Sequence, residues 1–249
     1  MKFENFKRAR RAVIMPVLKS VRKFLNVLKQ YAFPNYRSQL NVYDLYKEEQ
    51  IKKCYEHFKN YLKNAVLLSS DKIREHALNC AKEKDNDPNS IYIEFGVFSG
   101  SSINFFSNKI KKNIYGFDSF EGLREDWLGT SVPKGTFNLN KKIPKLNNNV
   151  IPIVGWIQDT LPKFLEDKNP KICFIHMDVD TYESSKFILE KVKPYLENET
   201  IILFDEIYNF EGWDVGEYKA LKDVFDDDEF SFISFSKDSA QAAIRIFKR

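Results

Sequence analysis

The chain has 249 residues, 43% hydrophobic and 30% charged, with 39 Lys and Arg against 35 Asp and Glu, a formal net charge of +4. That length builds one α/β domain or two small ones, and the composition excludes a disordered or fibrous chain. Cys54, Cys80 and Cys173 are odd in number and widely spaced, which argues against a disulfide framework or a paired zinc motif, and no apolar run reaches the ~18 residues of a membrane span.

The charge is unevenly placed. Residues 1–30 carry nine basic side chains and one acid, Glu4, for a net +8, so residues 31–249 carry −4. Val13, Ile14, Val17, Leu18, Val21, Phe24, Leu25 and Leu28 recur at three- and four-residue steps, the apolar face of a helix with Lys19, Arg22, Lys23 and Lys29 on the rest. A secretory signal is not expected: the apolar run Ala12 to Leu18 is short, is interrupted by Pro16, and no small-residue cleavage site follows. The arm suits a helix docked on the body or on a second subunit. A sharper alternative to this docking helix is one lying on an anionic membrane surface, which would make a cytoplasmic protein peripheral at the inner membrane. Nucleic acid is not an expected partner, since no recognised fold or aromatic-interleaved basic patch accompanies the arm.

Residues 31–88 read as a helical N-terminal extension, with an apolar pattern from Asp44 to about Lys84, closed by the breaker Asp85 to Ser90. Residues 89–249 read as one domain of alternating strands and helices. Strands are expected at Ile91 to Phe95, Asn113 to Phe117, Val150 to Val154, Ile172 to Met177 and Thr200 to Phe204. Helices are expected at Ser101 to Lys111, near Leu161 to Leu165, at Glu183 to Tyr195 and around Glu217 to Phe225. Phe230 to Phe235 and Ala242 to Phe247 close the chain as a hairpin. Near-continuous apolar strands in such an alternation argue for a doubly wound, mostly parallel sheet covered on both faces, whose ligands bind beyond the strands' carboxyl ends.

The chemistry therefore belongs just after each strand. After the first comes Glu94-Phe95-Gly96-Val97-Phe98-Ser99-Gly100-Ser101-Ser102, a glycine turn entering a helix, which lets a backbone approach a ligand closely. It is not G-x-G-x-x-G, so the standard dinucleotide fingerprint is absent. The second strand runs into Asp118, where a carboxylate can accept both hydroxyls of a ribose or cap a turn. The fourth leads into His176-Met177-Asp178-Val179-Asp180 and the fifth into Asp205-Glu206. With neighbouring strands about 4.8 Å apart, four carboxylates crowd one crevice. That arrangement calls for a proton or a cation between them, and all-oxygen ligands suit Mg²⁺, Ca²⁺ or Mn²⁺ rather than zinc.

From about Ile91 to Ile246 the chain resembles the class I S-adenosylmethionine-dependent methyltransferases, and more closely the macrocin O-methyltransferase (TylF-type) group. The strings YIEFGVFSGSS, YGFDSFEGLRED, VGWIQDTLP, HMDVDTYESSK, ILFDEIYNFEGWDVGEYKA and QAAIRI carry the resemblance in order and spacing. It implies a Rossmann-like fold with a seven-stranded sheet and a C-terminal antiparallel hairpin. It also implies S-adenosylmethionine bound by Glu94, Gly96, Gly100 and Ser102 at its methionine part, by Asp118 and Ser119 at its ribose, and by Gln158 and Asp159 near its adenine. Asp178, Asp205 and Glu206 match the family's metal-binding acids, for Mg²⁺ or a similar cation, and Asp180 its proton acceptor, with His176 as the other candidate base. The implied reaction is O-methylation of a hydroxyl on a sugar, glycan or glycosylated natural product, by a homo-oligomer. The competing reading is a metal-dependent glycosyltransferase using the D-x-D string Asp178-Val179-Asp180. Glu121 to Asn149 is expected to form a lid over the cofactor, and Trp213 either walls an acceptor pocket or packs in the core.

Overall fold

The computed structural model describes residues 41–248 together with Leu18, Ser20, Val21, Lys23, Phe24, Leu25 and Leu28. Those seven residues are helical, and the remainder of the expected amphipathic arm lies outside the described residues. The chain divides into two units between Tyr46 and Lys47, and everything that follows concerns the second.

Helix α1 (Val42–Asn64) leads to strand β1 (Val66–Leu68) and helix α2 (Ser70–Lys84). The alternating body continues through β2 (Ser90–Phe95), α3 (Ser101–Ser107), β3 (Ile114–Asp118), β4 (Val150–Val154), α4 (Ile157–Lys168), β5 (Lys171–Met177) and α5 (Tyr182–Val192). It closes with β6 (Leu196–Phe204), α6 (Glu217–Val224), β7 (Phe230–Ser236) and β8 (Ala242–Ile246). The strands form one sheet in the order β1-β7-β8-β6-β5-β2-β3-β4. Only β8 runs antiparallel, to β6 on one side and β7 on the other. The architecture is the expected Rossmann-like one with its C-terminal hairpin. Among the described residues, no helix is long and apolar enough to cross a membrane.

The sheet has one strand more than the sequence predicts. Val66–Leu68 pairs in parallel with Ser234 to Ser236 at the sheet edge, in a stretch that reads as helical because three residues carry no periodicity of their own. Ile73, Ala77 and Leu78 of α2 are buried against the sheet. Residues 66–84, expected within a separate extension, thus share the sheet and its core.

Alternation along the strands assigns the two faces. Tyr92 of β2, Phe174 of β5 and Ile201 and Leu203 of β6 face α2 and α3. Ile93, Phe95, Ile175, Met177, Ile202 and Phe204 face α4, α5, α6 and the second half of α1. The winding reverses at β2, since β3 and β4 build outward on one side while β5 and β6 build on the other. Such a reversal opens a crevice at the strands' carboxyl ends.

Phe58 of α1 is fully buried, with its ring 5.1 to 5.8 Å from the rings of Tyr208, Trp213, Tyr218, Phe232 and Phe235. Phe58→Ala should destabilise the protein by about 3–5 kcal/mol, the cost of a large core cavity. Urea unfolding checks this, with the midpoint falling at unchanged slope.

Candidate active site

The crevice is shaped first by backbone. Gly96 holds φ +86°, and a Cβ there would stand 1.7 Å from the carbonyl oxygen of Asp178, so only glycine fits. The strand ladders continue one residue past the strands, with Gly96 N–H donating to Phe117 O and Asp178 N–H to Phe95 O, both at 2.9 Å. Asp118 then ties the turn down. Its Oδ2 accepts the N–H groups of Val97 at 2.8 Å and Phe98 at 2.7 Å, and its Oδ1 accepts that of Phe120 at 2.6 Å. A carboxylate has about four lone-pair positions, so Asp118 keeps one acceptor position for a ligand hydroxyl.

Beneath the crevice, on the α2 face, lies a row of buried polar groups. Glu94 and His176 are register partners on β2 and β5, so their side chains meet on one face. Glu94 Oε1 accepts from Ser102 Oγ at 2.9 Å, and Glu94 Oε2 lies 3.0 Å from His176 Nδ1. His176 Nε2 lies 3.3 Å from Asp205 Oδ1, which also accepts from Arg74 Nη2 at 3.1 Å and from Gln241 Nε2. Burial alone would lower the His176 pKa. Hydrogen bonds to Asp205 and Glu94 and the charges of Glu94 and Asp178 overcome it, and the pKa stands raised at about 10. His176 is therefore an imidazolium with acceptors at both ring nitrogens. Burial would raise Asp205, but the His176 bond and charge, Arg74 and Gln241 hold it well below the usual carboxylate range.

Above this row, on the other side of the strand ends, opens a cavity of about 300 Å³. Gly96, Asp118, Ser119, Trp156 and Gln158 line one part of it, and Asp178, Asp180 and Glu206 form an acidic wall. Oxygens of these three acids lie within 4.8 Å of one another. His176, Asp178 and Asp205 form a second close group, so Asp178 belongs to both sides. Burial, followed by the charge of Asp205, raises Asp178 well above the ordinary carboxylate value against the pull of His176. The same two causes put Asp180 at about 7. Asp180 also holds φ +64°, a left-handed conformation unusual for a residue with a side chain. Burial and then the neighbouring acids Asp205 and Asp178 raise Glu206 as well. The buried Glu206 Oε2 and Glu217 Oε1 have no hydrogen-bond partner among the described residues.

The structure thus gathers Gly96, Asp118, Ser119, Gln158, Asp178, Asp180 and Glu206 around one cavity. It places the other expected residues elsewhere. Glu94 and Ser102 are buried under the floor, Gly100 caps α3 in a left-handed turn beside Leu146, and Asp159 is exposed on α4. His176 has no cavity-facing surface and no free nitrogen to take a proton, so the candidate base becomes a fixed buried cation. Asp205, next in sequence to Glu206, points to the opposite face and is engaged by Arg74, His176 and Gln241.

Several wall residues carry no sequence signal of their own. Trp156 caps α4, with the Arg124 guanidinium 5.6 Å from its ring centroid, and Phe98 meets Phe137 edge-on at 5.3 Å. The segment Glu121 to Asn149 supplies Gly122, Leu123, Arg124, Trp127 and Phe137 to the cavity wall, and Glu125 accepts from Thr181 Oγ1 beside the acids. Trp213 instead packs against Phe58 and Tyr218 in the core.

Residues 93–207 match the sequence model of the family described as "Methyltransferase domain", which makes the chain an enzyme. The crystal structure of CalS11, calicheamicin methyltransferase, is similar at 21% identity and a TM-score of 0.54, covering 78% of this chain and 91% of that one. The apo structure of CalS11, described as a TDP-rhamnose 3'-O-methyltransferase of calicheamicin biosynthesis, is similar at 19% identity and a TM-score of 0.50, covering 91% and 94%. The O-methyltransferase NovP is 19% identical with a TM-score of 0.47, covering 70% and 79%. No curated protein matches the sequence. The D-x-D string Asp178-Val179-Asp180 lies inside the segment that matches the methyltransferase model, which removes the ground for reading it as a glycosyltransferase motif.

The buried row has a pH signature. His176 is raised to about 10 from 6.5, so its stabilisation is complete below pH 6.5 and is lost as pH rises through 10. His176→Gln should cost about 3–5 kcal/mol near neutral pH, because it leaves Glu94 buried without its cation and Asp205 with Arg74 alone. The gap from wild type should narrow as pH approaches 10, read from thermal unfolding at several pH values.

Proposed function

We propose that this chain is an S-adenosylmethionine-dependent O-methyltransferase, assisted by a divalent cation, that methylates a hydroxyl of a sugar or glycosylated natural product. The observation that carries the reading is the joining of a glycine turn and an acidic wall across one cavity of a methyltransferase domain. The sequence strings quoted above support the O-methyltransferase and the sugar acceptor. The fold shared with CalS11, a sugar O-methyltransferase, agrees with both.

The residues fit both groups. For the cofactor, Gly96 clears the floor where a side chain would collide. Asp118 retains an acceptor position for a ribose hydroxyl, and Trp156, Phe98 and Gln158 supply aromatic and amide contacts at the walls. For a cation, Asp178, Asp180 and Glu206 offer close oxygens, and one carboxylate oxygen of Glu206 is buried without a donor. These three acids would hold it, and oxygen ligands select a hard cation such as Mg²⁺.

Bound here, S-adenosylmethionine supplies a methyl group already activated on a sulfonium, and the cation lowers the pKa of a hydroxyl attached to it. The chain's own residues do the rest. Asp180 offers one oxygen to the group that would hold the cation, and its second carboxylate oxygen is suited to take the hydroxyl proton. Aromatic walls from Phe98, Trp127 and Trp156 exclude water and fix the two reactants in line. The indole N–H of Trp127 is buried without an acceptor, so it serves as a donor to a hydroxyl-rich ring. The acidic wall favours a sulfonium over its neutral product, which aids release after transfer.

Asp178→Asn should lower turnover by about 100-fold or more and leave binding of S-adenosylhomocysteine within a few-fold of wild type. Calorimetry and a methyl-transfer assay with nucleotide-linked sugars measure the two. Full turnover in this variant, or in excess chelator, would sink the cation-assisted reaction, and absence of S-adenosylhomocysteine binding to wild type would sink the whole reading.

A further inference from the structure

The acidic wall has a member that strand-end reasoning does not reach. Glu217 opens α6 on the far side of the loop that follows β6, yet it is fully buried. Its Oε2 accepts the backbone N–H of Glu206 at 3.1 Å, closing the loop between them, and its Oε1 is buried with no donor. Its charge is felt by Glu206, and it feels those of Asp178, Asp180 and Asp205. A side chain at the preceding Gly216 would come within 3.6 Å of the Asp180 carbonyl oxygen, so α6 begins directly beside the turn that carries Asp180. Ala220 and Leu221 fix the helix in the core.

A buried carboxylate oxygen without a donor or cation is costly. Here that oxygen stands among acids that raise the cost further. Arg74 and His176 are both engaged by Asp205 on the other face, and Arg124 of the cavity wall lies over the Trp156 ring.

We propose that Glu217 is a positioning residue of the cation site: it clamps the main chain of Glu206 and places a buried negative charge behind Asp178, Asp180 and Glu206, the acids that would hold the divalent cation. This rests on the cation reading above and adds a residue to it. The clamp matters because Glu206 lies beyond the last strand residue, where no ladder bond fixes its direction. The charge matters because cation affinity in oxygen sites follows the number of carboxylates that surround the ion.

The test is titration of the full-length protein with Mg²⁺ and with Mn²⁺ by calorimetry, with S-adenosylhomocysteine present, for wild type, Glu217→Gln and Glu217→Ala. Glu217→Gln keeps an oxygen for the Glu206 N–H and nearly the same volume while removing the charge. Its cation Kd should weaken about 10-fold, with S-adenosylhomocysteine affinity unchanged and the melting temperature of the cation-free protein equal or higher. Glu217→Ala also loses the clamp, and its cation Kd should weaken toward 100-fold. Wild-type cation affinity in Glu217→Gln overturns the proposal. So does a parallel loss of cation binding, S-adenosylhomocysteine binding and thermal stability, which marks a merely structural residue. A wild-type protein that binds neither cation overturns it together with the cation-assisted reaction. The methyltransferase reading is judged separately, by S-adenosylhomocysteine binding to wild type.

Discussion

The close approach of residue 96 to Asp178 is the constraint on which the site depends. The first residue after β2 sits where any side chain would strike the main chain just past β5, at 1.7 Å from the Asp178 oxygen. Two strand ends can meet so closely only because one of them carries glycine in a left-handed conformation. The glycine turn and the acid wall thereby become one surface instead of two neighbouring loops. The Asp118 carboxylate then gathers three amides around the same turn, so the floor is fixed by backbone and needs no ligand to form it.

The pleat of the sheet divides the acids between two tasks. Glu94, His176 and Asp205 fall on the α2 face, where Ser102, Arg74 and Gln241 complete their hydrogen bonds. Glu206, one residue past Asp205, turns to the other face and joins Asp178 and Asp180. A single step along the chain thus separates a satisfied acid from an unsatisfied one. Asp178 stands at the boundary, close enough to His176 to feel its charge and open to the cavity above.

Much of this was legible in the sequence. Apolar runs located the central strands, since a parallel sheet buried on both faces leaves them little polar content. The acids fell at strand ends because the segments after those runs are short and polar. Other features were hidden for physical reasons. β1 is too short to show a period, and its existence depends on pairing with β7, whose partner residues lie far along the chain. His176 of β5 reads as a base because the pattern HMDVD says nothing of what meets its two nitrogens. Pooling Asp205 with Glu206 overlooked alternation, which applies to adjacent residues in a strand and continues just past its end. Glu217 was out of reach, because a helix residue enters a strand-end site only through the path of the intervening loop. Trp156 and Arg124 meet for the same kind of reason.

The buried row and the cavity wall carry their acids differently. Within the row, the positive His176 and Arg74 face the carboxylates of Glu94 and Asp205, so opposite charges meet directly, while the charge of Asp205 still reaches the acids of the wall. The acids on the cavity side have no such match. Asp178, Asp180, Glu206 and Glu217 are driven toward protonation by burial and by the charge of Asp205, and all but Asp180 also by one another, so each would be relieved by positive charge arriving from solvent. A sulfonium and a hard divalent ion are both of that kind. The local selectivity is thus set by which acids the sheet pairs internally and which it leaves open, and it owes nothing to the chain's net charge of +4. That figure mixes a basic N-terminal segment with an acidic body, and the site reads only its own surroundings.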